Sequence, residues 1–152
     1  MVRSEYALIV AGGKGTRIPG LVPKQFLELA GKPILLHTIE AFLRYASSLS
    51  IILVLPEEDF GIWEAICKKF DFNTSIVLQK GGETRFQSVK NGLDKIGGEG
   101  LVAIHDGVRP LVSADLIGAS FRLAAVHGSA VAAVRLKESI RMTDQDNTKA
   151  MD

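Results

Sequence analysis

The chain's 152 residues suit one domain, and a hydrophobic share of 47% is enough to fill its core. A formal net charge of +1 creates no global field that would draw nucleic acid or a membrane. The one cysteine, Cys67, excludes an intrachain disulfide and a cysteine metal cluster. No N-terminal apolar segment has the length of a signal peptide or a membrane span, so a cytoplasmic setting is expected.

The first predicted element is a buried strand, the apolar run Tyr6–Val10. It leads into Ala11-Gly12-Gly13-Lys14-Gly15-Thr16-Arg17, closely followed by Pro23-Lys24-Gln25. Three glycines in four positions let the backbone turn sharply and come close to a ligand. A glycine-rich loop at a strand's C-terminal end offers backbone N–H groups to phosphate oxygens. Lys14, Arg17 and Lys24 add cations that folding does not require, and a nucleoside triphosphate would suit the loop. The P-loop spacing is absent, and Ile18 stands where a dinucleotide fingerprint needs its third glycine.

The loop to about Lys32 is long for a strand-to-helix connection, which is a mark of function. Pro33 then stands at a helix start, and Ile34, Leu35, Thr38, Ile39, Phe42 and Leu43 space as an apolar stripe. Thr38 itself, like Gln87, is read as a helix-surface residue. Ser50–Leu55 is the second strand. Phe60, Trp63, Ile66, Cys67 and Phe70 form the stripe of a second helix, which makes Trp63 and Cys67 core residues. The third strand, Ser75–Leu78, leads to Gly81-Gly82 and a helix with Phe86, Val89, Leu93 and Ile96 facing inward. Leu101–Ile104 is the fourth strand and ends at His105-Asp106. Ser113 reads as the N-cap of a helix that buries Leu116, Ile117, Phe121 and Ala124. Ser129–Val134 is expected to be a fifth strand.

Alternating strands and helices argue for an α/β fold, a mostly parallel sheet with helices on both faces. The unusual blocks follow strands one, three and four. They therefore share the C-terminal edge of the sheet, where open α/β sheets bind ligands. Residues 1–135 make up this domain. From residue 136 the pattern changes: Glu138–Thr143 reads as a short strand, Asp144–Asn147 as a turn and Thr148–Asp152 as a possible return strand. So polar a hairpin cannot build its own core.

Three ordered blocks carry a resemblance that runs from about Ala7 to the chain's end. They are the Ala11–Arg17 string with Pro23-Lys24-Gln25, the string Gly81–Val89, and His105-Asp106-Gly107-Val108-Arg109-Pro110. Together they resemble sugar-phosphate nucleotidyltransferases, above all the cytidylyltransferases acting on 2-C-methyl-D-erythritol 4-phosphate in non-mevalonate isoprenoid biosynthesis. The relatives acting on ribitol 5-phosphate share these motifs.

The resemblance implies a Rossmann-like three-layer nucleotidyltransferase fold with a projecting hairpin arm. It implies CTP and a polyol phosphate acceptor as ligands, Mg²⁺ as cofactor and a homodimer assembled through the arm, 136–152. Arg17 and Lys24 match the family's catalytic basic pair. Ala11, Gly12, Gly13, Lys14, Gly15, Thr16, Gly82, Glu83, Ser88, Asp106 and Gly107 match its nucleotide site, with Asp106 also the metal ligand. From the residues alone, the alternative for Asp106 is a helix N-cap or a partner for Arg109. Arg109 and His105 read as structural. Ser139 stands where the family places an acceptor-binding threonine. The family's acceptor-gripping arginine would fall just after Asp152, so the chain as written is expected to bind CTP and transfer almost no cytidylyl group. A CTP-binding module without catalysis and an arm-mediated interaction protein are the competing readings.

Overall fold

The computed structural model describes residues 3–12, 22–135, 141–144 and 147–150. Its elements run β1 (Ser4–Val10), β2 (Glu28–Leu29), β3 (Lys32–Pro33), α1 (Ile34–Tyr45), β4 (Ser50–Leu55), α2 (Phe60–Lys69), β5 (Val77–Lys80) and α3 (Arg85–Leu93). Then follow β6 (Gly100–Asp106), α4 (Ala114–His127), β7 (Arg141–Asp144) and β8 (Asn147–Ala150). Short 3-10 turns occupy Lys24–Phe26 and Glu57–Asp59.

The central sheet has the order β5-β4-β1-β6, with every pair parallel. Strand alternation divides the apolar residues between two faces. On one face Ala7, Ile9, Ile51, Leu53 and Leu55 pack with Leu35, Ile39 and Phe42 of α1, Trp63 and Ile66 of α2, and Ile117 and Phe121 of α4. On the other, Leu8, Ile52 and Val54 meet Val89 of α3 and Ile96. The expected three layers are therefore present. Each fully buried Leu or Ile contributes roughly 1.5–3 kcal/mol.

Helix ends follow their local chemistry. The Thr84 hydroxyl accepts from Gln87 N at 3.1 Å and caps α3; Ser113 accepts from Leu116 N at 3.2 Å and caps α4. Gly128 closes α4 with φ of 84°, a left-handed conformation that glycine takes without strain. Trp63 is buried edge-to-face with Phe72, their ring centroids 5.8 Å apart, and so belongs to the core, as its stripe predicts.

Several sequence expectations need correction. The third strand begins at Val77 rather than Ser75, and the fourth continues through Asp106. Phe86 is 78% exposed: it stands outside the face of α3 that meets the sheet. Leu116 is likewise turned outward, leaving Ile117 and Phe121 as the buried anchors of α4. Thr38 is fully buried rather than on the helix surface, because its hydroxyl donates to Gly107 O at 2.9 Å.

The expected fifth strand is absent: residues 129–135 have no regular structure, and Val131 and Val134 are exposed. The run Ser129–Val134 has a strand's composition but no ladder partner among the described residues. Between it and β6 lies an open cavity of about 940 Å³, lined by β6 from Gly100 to Asp106 and by Gly128–Ala132. An apolar run becomes a strand only where a neighbour satisfies its N–H and C=O groups. The tail does form a hairpin. β7 and β8 pair antiparallel from Arg141↔Ala150 to Asp144↔Asn147, in a two-stranded sheet of their own.

Candidate active site

Parallel register brings the strand ends together. Val10 is aligned with both Val54 and Asp106, and Leu55 with Lys80. Each strand hands its chain to a turn at the same edge. Ala11 N donates to Val54 O at 2.9 Å, Gly81 N to Leu55 O at 2.8 Å and Gly107 N to Val10 O at 2.9 Å. These bonds extend the ladders by one residue and fix where the turns begin.

Two glycines are required by close approach. A Cβ on Gly107 would lie 2.7 Å from Ala11 Cβ and 3.0 Å from Leu35 Cδ1, so the first and third blocks touch. A Cβ on Gly82 would lie 2.2 Å from Gln87 Cγ. Gly82 N donates to Ser88 Oγ at 3.0 Å, so the buried Ser88 hydroxyl braces the turn from within. Glu83 stands exposed beside it. Gly12 flanks the turn after β4, where a Cβ would reach to 4.0 Å from Pro56 Cδ.

The second and third blocks meet at Asp106. Arg85 Nη2 donates to its Oδ1 at 3.1 Å, and Arg109 Nε to its Oδ2 at 2.9 Å. Burial raises the Asp106 pKa, but the hydrogen bonds and charges of Arg85 and Arg109 outweigh it and hold the carboxyl below the usual range. Arg109 thus braces the loop. His105 packs edge-to-face on Phe42, with centroids 5.1 Å apart, and burial pushes its imidazole pKa down.

The ionised oxygens of Asp106 are hard ligands, and they suit an ion that takes one or two carboxylates together with phosphate oxygens. Among the described residues no group of three or more His, Cys, Asp or Glu could hold a metal by itself. The chemistry of Asp106 therefore fits Mg²⁺ only with the nucleotide sharing it, and with Arg85 yielding Oδ1.

Lys24 lies in the 3-10 turn, half-buried, with Gln25 and Phe26 buried next to it. Gly13, Lys14, Gly15, Thr16 and Arg17 lie outside the described residues, as does Ser139. The structure thus brings together Ala11, Gly12, Gly82, Asp106 and Gly107 from the ends of β1, β5 and β6, with Ser88 from α3. Sequence reasoning missed three contributors. Arg85 stood inside a quoted block, but its carboxylate partner is 21 positions away. Thr38 carried a signal, since it falls on the apolar stripe of α1. Asp59, after Glu57 and Glu58, reads as part of a solvated acidic run, yet it is buried.

Comparison with known proteins supplies the family. The family model described as 2-C-methyl-D-erythritol 4-phosphate cytidylyltransferase matches residues 6–151. A curated protein of that description from Bacteroides thetaiotaomicron is 47% identical over 138 residues, covering 90% of this chain and 63% of its own length. One from Porphyromonas gingivalis is 46% identical over 152 residues, covering 100% of this chain and 68% of its own. The chain therefore spans about two-thirds of the length of these relatives. The crystal structure of 4-diphosphocytidyl-2C-methyl-D-erythritol synthase from Anaerococcus prevotii superposes with a TM-score of 0.76 at 28% identity, covering 97% of this chain and 62% of that one. The chain belongs to the 2-C-methyl-D-erythritol 4-phosphate cytidylyltransferase family.

Proposed function

We propose that this chain carries the nucleotide-binding part of an enzyme that transfers the cytidylyl group of CTP to 2-C-methyl-D-erythritol 4-phosphate and releases pyrophosphate, in non-mevalonate isoprenoid biosynthesis. The observation that carries this reading is the convergence of the three sequence blocks on one sheet edge, in a chain of this family. The acceptor phosphate attacks the α-phosphorus of CTP, and the bond to the β-phosphate oxygen breaks. Charge builds on a pentacoordinate phosphorus, so catalysis is positioning and electrostatics. Arg17 and Lys24 supply cations at the triphosphate. The Gly12–Thr16 backbone cradles its oxygens, and the small residues Ala11, Gly12 and Gly82 leave room for a pyrimidine. Glu83 and the turn held by Ser88 define the base pocket. Mg²⁺ bound at Asp106 would draw charge from the phosphate oxygens.

Residues 1–135 form the nucleotide domain in this reading, and 136–152 begin the arm of a homodimer, with Ser139 presented to the acceptor. Among the described residues no helix is long and apolar enough to cross a membrane. A cytoplasmic enzyme is the reading that fits. The test is pyrophosphate release by the whole protein with CTP, Mg²⁺ and either methylerythritol phosphate or ribitol 5-phosphate. Turnover with the first acceptor is expected, and Lys24→Ala should lower kcat about 10²–10³-fold, as loss of a preorganised donor does. CTP should also bind more tightly than ATP or GTP. Preference for ribitol 5-phosphate, or equal binding of ATP, would overturn the assignment.

A further inference from the structure

The turn that carries Lys24 is fastened by a contact that the fold alone does not need. Phe26 is sunk in the core, Phe26 N donates to Pro23 O at 2.9 Å, and Ile34 N donates to Leu27 O at 2.9 Å. These bonds already close the turn. Yet Gln25 is also buried, 1% exposed, and its Nε2 donates to Asp59 Oδ2 at 3.0 Å, across 34 positions of sequence. Asp59 is 6% exposed and, among the described residues, receives this single side-chain hydrogen bond; its own helix, α2, gets no side-chain cap from it. Gln25 Oε1 has no partner among the described residues.

A buried carboxylate with one hydrogen bond costs stability, and an apolar pair of the same shape would hold the turn equally well. What the polar pair adds is direction. A hydrogen bond fixes the orientation of the backbone next to it, whereas apolar packing tolerates sliding. Asp59 belongs to the turn after β4, and that turn's Pro56 faces Gly12. The pair therefore ties the lysine-bearing turn to the same strand end that flanks the glycine loop.

We propose that Gln25 and Asp59 are positioning residues that act through Lys24, aiming its ammonium at the β- and γ-phosphates of a bound nucleoside triphosphate. This rests on the cytidylyltransferase reading, which gives Lys24 its phosphate role. Gln25 and Asp59 touch no substrate in it.

Calorimetric titration with CTP plus Mg²⁺, and separately with CMP, tests the idea, because CMP lacks the phosphates that Lys24 would hold. Lys24→Ala should weaken CTP about 10-fold or more, the worth of one charge-assisted hydrogen bond, and leave CMP within about twofold. Gln25→Leu should weaken CTP about fivefold, spare CMP, and add nothing on top of Lys24→Ala, because both changes disable one contact. Gln25→Leu with Asp59→Leu should recover thermal stability, since no polar group is left orphaned, without recovering CTP affinity. Asp59→Asn keeps the acceptor oxygen and should keep CTP affinity within about twofold. Equal losses for CTP and CMP would overturn the proposal, as would recovery of CTP affinity along with stability in the Leu/Leu pair. If Lys24→Ala weakens CTP and Gln25→Leu does not, the positioning role fails and the cytidylyltransferase reading stands. If neither weakens CTP, the phosphate role of Lys24 fails with it.

Discussion

Strand β4 lies between β1 and β5 and buries five of its six residues, whereas β6, among the described residues, is bonded to β1 alone and none of its seven is fully buried. The two strand ends treat a carboxylate in opposite ways. Beyond β4, Asp59 is sealed in, and burial, then the nearby Glu58 charge, raises its pKa against the Gln25 hydrogen bond. At the end of β6, Asp106 is partly solvated, and two arginines lower its pKa. The closed flank gives rigidity and fixes backbone positions. The open flank keeps a charge available to a ligand. In the proposed cytidylyltransferase the nucleotide would draw on both flanks.

The largest test of this contrast is in the core. Leu53→Ala should cost about 2–5 kcal/mol in denaturant unfolding, the usual range for a fully buried leucine. Ile104→Ala on β6, where the side chain is 46% exposed, should cost less than about 1 kcal/mol. Equal costs would mean that β6 is as enclosed as β4.

Next in size is the seam between the flanks. Gly107→Ala drives a methyl group against Ala11 and Leu35 and should cost about 1–3 kcal/mol. Gly97→Ala, with open space at its Cβ, should change stability by less than about 0.5 kcal/mol. If Gly107→Ala melts like the wild type, the first and third blocks are not in rigid contact.

The smallest effect concerns the sealed carboxylate. A raised folded-state pKa means that ionised Asp59 costs stability above that pKa, and the cost fades as pH falls through it toward the unfolded value of about 3.9. Asp59→Asn removes the charge and lets an amide donate to Gln25 Oε1. It should therefore stabilise the protein by roughly 1 kcal/mol at neutral pH, with the gap to wild type narrowing on acidification. Thermal melts across the acid range check the sign. A variant less stable than wild type at pH 7 would show that the Asp59 charge is welcome, and the closed flank less dry than its exposure indicates.

Much of this was determined by sequence alone. Apolar runs fixed β1 and β4, helical stripes fixed α1 and α2, and Ser113 announced the start of α4, because period and capping are local properties of a few consecutive residues. The three blocks revealed the shared edge for the same reason: each follows its strand directly. What only the tertiary structure decided depends on partners far away in the chain. Ser129–Val134 has strand composition, but a ladder is a property of two segments, and the second is absent among the described residues. Phe86 and Leu116 lie at helix positions whose burial depends on how far the sheet extends beneath them. Arg85 reaching Asp106, Thr38 holding Gly107 and Gln25 donating to Asp59 are pairings of side chains 21, 69 and 34 positions apart. No local pattern encodes such separations; they exist because parallel register aligns the strand ends, and burial then leaves each polar group only the partners the fold brings within reach.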